Sequence, residues 1–241
     1  GILLLTDVMG DHQVYMSLDL NRSLEYSNLF FMYQYLARRV DYGIGAYHYT
    51  YLFYSSGVDW LDRNWGLFVM GSYPLNRYNR IEFGLEHSVV DRSVFRNYLG
   101  RDVGGQRLST LTQRVGYVHD TSVWGYSTSP SNGGRWRVDG TFAPDLKGGT
   151  AEGYDFATVS FDWRRYFVFR EDFTFAFRTS GAVSQGANPQ RFFLGGMLNW
   201  FNNRFDNPEG GVLLDINDIY YSTFATPLRG VGYYNKVGTR Y

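Results

Sequence analysis

Residues 157 to 164 read Ala157-Thr-Val-Ser-Phe-Asp-Trp-Arg164, and every second side chain in that stretch is apolar while its neighbours are polar or charged. A period of two places Ala157, Val159, Phe161 and Trp163 on one face of an extended chain and Thr158, Ser160, Asp162 and Arg164 on the other. The pattern recurs on both sides of this stretch. Val14, Met16, Leu18 and Leu20 alternate with Gln13, Tyr15, Ser17 and Asp19. Ile81, Phe83, Leu85 and Val89 alternate with Glu82, Gly84, Glu86 and Ser88. Trp136, Val138 and Phe142 alternate with Arg135, Arg137, Asp139 and Thr141, and Phe173, Phe175 and Phe177 with Thr174, Ala176 and Arg178. No window keeps a capped apolar stripe of helical period. The chain is therefore predicted to be all-β, with strands near 1–7, 12–20, 28–38, 42–52, 64–73, 80–91, 108–120, 134–142, 154–168 and 172–184.

Composition narrows the class. The 241 residues carry 23 basic and 23 acidic side chains, so no net field argues for a nucleic-acid partner. Only Lys147 and Lys236 among the basic residues are lysine, far fewer than a solvated surface normally carries. Cysteine is absent, which excludes disulfide scaffolds, thiolate metal sites and cysteine nucleophiles. The 28 glycines, 21 tyrosines and 19 phenylalanines favour strands and turns over helix. The longest unbroken apolar run, Leu29 to Tyr33, is far short of the roughly 20 residues of a spanning helix. The chain opens in a strand-like run at Gly1 and stops at Tyr241 without a tail, so it is expected to be a mature or partial chain whose targeting segment is missing.

Loop lengths alternate. The connections at 8–11, 39–41, 74–79 and 169–171 are compact, whereas 53–63, 92–107, 143–153 and everything after 185 are long and rich in Gly, Asn, Asp and Ser; 21–27 is middling and 121–133 long for a turn. Short turns on one side and long loops on the other describe a transmembrane antiparallel up-and-down β-barrel. A β-sandwich or propeller would show the same alternation. Three features favour the barrel. The predicted strands run past the usual length of about 5–6 residues. Full charges at Glu82, Glu86, Arg135, Arg137, Asp162 and Arg164 suit residues lining a watery lumen. Aromatics crowd the strand ends at Tyr47-His48-Tyr49-Thr50-Tyr51, Trp65 and Tyr73, the positions of interfacial girdles.

Templates for chemistry mostly fail. No G-x-S-x-G elbow, P-loop, H-E-x-x-H or C-x-x-C motif is present, and no cofactor motif is found. His119-Asp120 could supply a base with its orienter, but a boundary histidine beside a turn aspartate explains the pair better. Asp206, Glu209, Asp215, Asn217 and Asp218 could bind calcium through loop oxygens, and a solvated acidic loop explains them equally well.

The informative region is 185–241. It carries Phe193-Leu-Gly-Gly196 and, about thirty residues later, Thr226-Pro-Leu-Arg-Gly230. Long loops with ordered aromatics are usually functional. These elements resemble those of the Omp85 superfamily of outer-membrane barrels (the bacterial surface antigen domain), which carry an F-x-G-G element before loop six and a V/I/L-R-G-F/Y motif at its inward-folded tip. Asp120, Pro130 and Gly133-Gly134 resemble the family's D…P…G turn on the periplasmic side. The similarity is greatest to members with a TolB-like periplasmic propeller upstream. Two departures stand out: Val231 follows Gly230 where the family has an aromatic, and the insertion from Trp200 to Pro227 is longer than the compact family form.

The resemblance implies that residues 1–241 are part of one outer-membrane barrel domain, about 10–11 strands of sixteen, with 185–235 as the extracellular loop six. A further strand would begin near Gly238, and the first strand, the last four and a periplasmic domain would lie outside this chain. It implies no enzymatic activity. Phe193, Gly195, Gly196, Leu228, Arg229 and Gly230 would form the loop-six motif, with Arg229 meeting acidic residues on later strands. Lateral opening of the seam would insert or translocate clients. The implied partners are outer-membrane lipid, unfolded client proteins or lipid cargo, and periplasmic or lipoprotein accessory subunits. Two alternatives remain: a passive porin-like channel, and an outer-membrane hydrolase built on His119 and Asp120.

Overall fold

The computed structural model describes residues 1–21, 23–55, 58–98, 100, 104–125, 130–145, 152–170, 173–195, 220–227 and 236–241. In chain order the strands are β1 Ile2–Thr6, β2 His12–Asp19, β3 Asn28–Tyr35, β4 Asp41–Ser55, β5 Val58–Pro74, β6 Asn79–Asn97, β7 Gln106–Asp120 and the short β8 Val123–Trp124. They continue with β9 Pro130–Ala143, the short β10 Glu152–Gly153, β11 Phe156–Val168, β12 Thr174–Gln185, β13 Arg191–Gly195, β14 Ser222–Pro227 and β15 Lys236–Gly238. No helix among the described residues is long and apolar enough to cross a membrane.

Ten strands follow one another in a single antiparallel up-and-down sheet, β1-β2-β3-β4-β5-β6-β7-β9-β11-β12, with β8 and β10 attached off this path to β9 and β7. All ten predicted strands are present. Among the described residues the sheet stays open and does not close on itself. Past β12, Ser184 donates its backbone N–H to the Thr239 carbonyl at 2.8 Å and Tyr241 donates to Ala182 at 3.0 Å, so the backbone at 239–241 lies beside β12.

The two faces of the sheet differ in curvature as well as chemistry. On one face side chains meet across two strands: Tyr47 on β4 donates to Glu86 on β6 at 2.6 Å, and Arg137 on β9 reaches Glu82 on β6 at 3.1 Å. Phe30 on β3 stacks with Phe68 on β5 at 6.0 Å between centroids. Strands two apart are separated by roughly 10 Å, so such contacts form where the sheet curls toward them; this face is concave. On the opposite face rings meet between neighbouring strands, as in Trp163–Phe177, Tyr117–Trp136 and Trp65–His87. That convex face is apolar and exposed, with Ile44, Leu67, Val69, Phe83, Leu85, Val115, Val159 and Phe161 among its residues.

Beyond Trp65, toward the end of the sheet with the longer connections, this polarity inverts. Arg63 on the convex side pairs with Glu25 at 2.5 Å and Asp91 at 3.2 Å. On the concave side Val90, Leu108, Ala143 and Phe156 are buried in one cluster with Tyr154 and Tyr221. The inversion explains a difference from the sequence reading. The long loop predicted at 53–63 is largely strand, and the one predicted at 92–107 is strand over 92–97 and 106–107: β5 runs 17 residues and β6 runs 19, with a bulge between Asp59 and Trp60. Charges on the formerly apolar phase resemble loop composition, yet they are the wet face of a continuing ladder.

A second correction concerns the girdle. Tyr47, Tyr49 and Tyr51 do not lie on the convex face at a strand end. They stand on the concave face, inside a β4 that continues to Ser55, because they share the parity of Gly43 and Gly45. Trp65 and Tyr73 do lie on the convex face, at the two ends of its apolar band.

The opposite end of the sheet is closed by short turns. Asp7 accepts the His12 backbone N–H at 3.0 Å, which holds its carboxyl below the usual range. Asn76 does the same work in the β5–β6 turn, accepting from Tyr78 and Asn79 at 2.9 and 3.0 Å.

Candidate functional site

The concave face carries two ionic clusters set by strand register. Asp139 on β9 stands opposite Gly116, where an added Cβ would lie 2.6 Å from its Oδ1, so the glycine leaves room for the carboxylate. Arg137 donates to both oxygens of Asp139 at 2.6 Å, and Arg114 on β7 adds bonds of 3.2 and 2.9 Å. Arg137 also reaches Glu82, which pairs with Arg80 at 2.7 Å. Asp162 on β11 is held by Arg164 and, from β12, by Arg178 at 2.6–3.0 Å. Both signs interleave, so this wall presents no broad field that would select an ion by charge. Glu82, Glu86, Arg135, Arg137, Asp162 and Arg164 thus all stand on the concave face. Glu82 and Arg137 fall in the first cluster, Asp162 and Arg164 in the second; Glu86 bonds Tyr47, and Arg135 lies 3.7 Å from Asp120.

The sequence reading missed a second feature. Tyr220 and Tyr221, from the long segment after β12, are docked on the concave face. The Tyr220 hydroxyl donates to Asp62 at 3.0 Å. Asp62 also receives Arg92 at 2.8 and 2.7 Å, and the two charged side chains are 0% and 2% exposed. Arg92 lies 5.7 Å from the Trp60 ring centroid. Tyr221 receives the Thr110 hydroxyl at 2.7 Å, lies 3.4 Å from Ser88, and stacks on Tyr154 at 4.3 Å. Burial pushes the hydroxyls of both tyrosines up, and the Asp62 carboxylate adds to the effect on Tyr220. The docked pair caps the concave face at its long-connection end. No local signal marks these residues, because their hydrogen bonds join positions 111 to 158 residues apart.

The base of the same segment forms a separate three-stranded sheet, β14-β13-β15. Its parallel β13–β14 ladder pairs Phe193 with Phe224, Leu194 with Thr226, and Gly195 with Pro227. The phenylalanine–glycine element is thereby brought against the residues that lead directly into Leu228-Arg229-Gly230. Phe193 is buried. Gly196, Leu228, Arg229 and Gly230 themselves lie outside the described residues, as do Asp206, Glu209, Asp215, Asn217 and Asp218.

The turn elements also assemble. Asp120 ends β7 and accepts the Ser122 backbone N–H at 3.0 Å, while Thr121 donates its N–H to Gly134 at 2.8 Å. Pro130 begins β9 opposite Trp124. Gly133 holds a positive φ of 82°. His119 and Asp120 do not face one another: His119 bonds Asn79 at 2.7 Å and stacks on Trp136 from the convex side, whereas Asp120 lies on the concave side near Arg135. Among the described residues no cluster of three or more histidine, aspartate or glutamate side chains could hold a metal ion.

No protein-family model matches the chain, and no curated protein matches its sequence.

Proposed function

We propose that this chain is the greater part of an outer-membrane β-barrel of the Omp85 type, which inserts or translocates client proteins or lipid by lateral opening of its seam. The observation that carries the reading is the inward-folded segment. Tyr220 and Tyr221 enter the concave face, and the β13–β14 ladder sets the phenylalanine–glycine element beside the start of the Leu-Arg-Gly tip. A loop six that folds into the lumen needs both. The exposed apolar convex face, bounded by Trp65 and then by Arg63, Asp91 and Glu25, supports residence in a bilayer of limited thickness. The aqueous lumen would be the concave face with its ionic clusters, and the sheet, open here, would close with strands beyond Tyr241.

Two experiments test the two parts. Val115 is 60% exposed near the middle of the convex band. Val115→Arg is expected to cost about 2–4 kcal/mol of insertion into phosphatidylcholine vesicles, while Thr112→Arg on the concave face inserts nearly as well as the parent. Equal insertion by both variants would argue against the membrane assignment. For the activity, Arg229→Ala is expected to abolish client assembly in reconstituted vesicles while Val138→Ile leaves it unchanged; a fully active Arg229→Ala protein would sink the Omp85 reading.

A further inference from the structure

Seven aromatic rings form an unbroken track along the concave face. Starting at β2, the centroid spacings are 5.6 Å from Tyr15 to Phe30, 6.0 Å to Phe68, 6.5 Å to Tyr47, 5.5 Å to Tyr49, 6.4 Å to Tyr51 and 6.4 Å to Tyr220. Each of these residues is half-buried or exposed, so the track is no hydrophobic core; the buried aromatic cluster of Tyr154, Phe156 and Tyr221 begins where the track ends, at Tyr220. Glycines lay the rings flat. A Cβ on Gly45 would sit 2.3 Å from the Phe68 ring, and one on Gly66 would sit 2.7 Å from the Tyr47 ring. A ring pressed onto bare backbone on one side presents its other face to the concave space.

At Phe68 the track borders a cavity of about 570 Å³ whose lining also includes Gln34, Met70, Glu82, Glu86 and Arg114. That volume falls in the usual range for a small-molecule site. We propose that this track binds a linear, uncharged oligosaccharide. Successive sugar rings would stack their C–H faces on the aromatic faces, and their hydroxyl edges would bond Glu86, Arg114 and the tyrosine hydroxyls. The chemistry selects this ligand over an acyl chain. Five of the seven rings carry a hydroxyl, and an acyl chain would strip water from the carboxylates and guanidinium opposite without replacing its hydrogen bonds. The interleaved charges of the ionic clusters likewise give no preference for a strongly charged ligand. The inference rests on the barrel reading only in requiring an aqueous concave face; its test needs neither insertion nor client assembly.

The probe is maltohexaose, titrated calorimetrically into the full-length protein in a non-glycosidic detergent, with cellohexaose as a second geometry. Saturable binding of at least one of them is expected. Tyr49→Ala and Phe68→Ala are each expected to weaken it about tenfold, the order that loss of one stacking platform costs. Tyr49→Phe, which keeps the ring, should retain most of the affinity, and Trp124→Ala, in the short β8 off the track, should retain all of it. Circular dichroism checks that each variant is folded; if Tyr49→Ala is not, Tyr49→Leu takes its place. Absence of saturable binding by either sugar overturns the proposal. So does binding that folded Tyr49 and Phe68 variants leave unchanged.

Discussion

Arg92→Met is expected to lower the unfolding free energy by about 3–5 kcal/mol, the usual cost of removing one partner from a buried ion pair. The reason is the burial of Asp62, which is fully enclosed. Without the guanidinium, its carboxylate keeps the Tyr220 hydroxyl but loses the cation that offsets its desolvation. The denaturant midpoint, followed by tryptophan fluorescence in detergent, reads the loss. Replacing the whole constellation tests the explanation. A protein carrying Asp62→Leu, Arg92→Met and Tyr220→Phe together removes these three polar groups at once and should recover most of the lost stability. If Arg92→Met alone leaves the midpoint unchanged, the pair does not anchor the docked segment.

The second large effect is expected at Gly133. Its φ of 82° lies in the left-handed region, which a β-branched residue adopts only at a cost. A Cβ there would also sit 2.0 Å from the Thr121 carbonyl oxygen and 2.8 Å from its carbon, both backbone atoms that cannot swing aside. Thr121 is the residue whose N–H closes the hairpin onto Gly134. Gly133→Val therefore has to break the β7–β9 turn, at a cost of at least ~2 kcal/mol from the backbone alone. Refolding yield into detergent should fall sharply. Gly140→Ala is the control, since the nearest atom to its added Cβ is 3.9 Å away. That change should be neutral or slightly stabilising. A Gly133→Val protein that refolds like the parent would show that the turn tolerates another conformation.

The strands were legible because a sheet exposed on one face and polar on the other writes its period directly into the chain, as at Ala157 to Arg164. Strand ends were not legible where the two faces exchange chemistry. Asp59, Asp62, Arg63, Asp91 and Arg92 resemble loop residues in sequence, yet Asp62–Arg92 is buried and Arg63–Asp91 lies on the opposite side of the same ladder. The tyrosines at 47, 49 and 51 were misplaced for a related reason. Composition reports that aromatics are frequent, but only the register with Gly66 and Glu86 reports which face they occupy. Tyr220 and Tyr221 were invisible because nothing within ten residues specifies their partners. The charged positions at Glu82, Arg137 and Asp162 were readable one by one; their grouping into clusters needed the strand pairing.

Sheet order has a consequence for the sequence of events in folding. Every strand on the main path pairs with a strand near it in the chain, so the sheet can lengthen hairpin by hairpin, each step closing a short loop at modest entropic cost. The contact between Tyr220 and Asp62 spans 158 residues and needs β5 and β6 already in register. The cap therefore docks only after β5 and β6 have paired, and its departure would leave the ladder intact, a closing step separable in time from growth of the wall it covers.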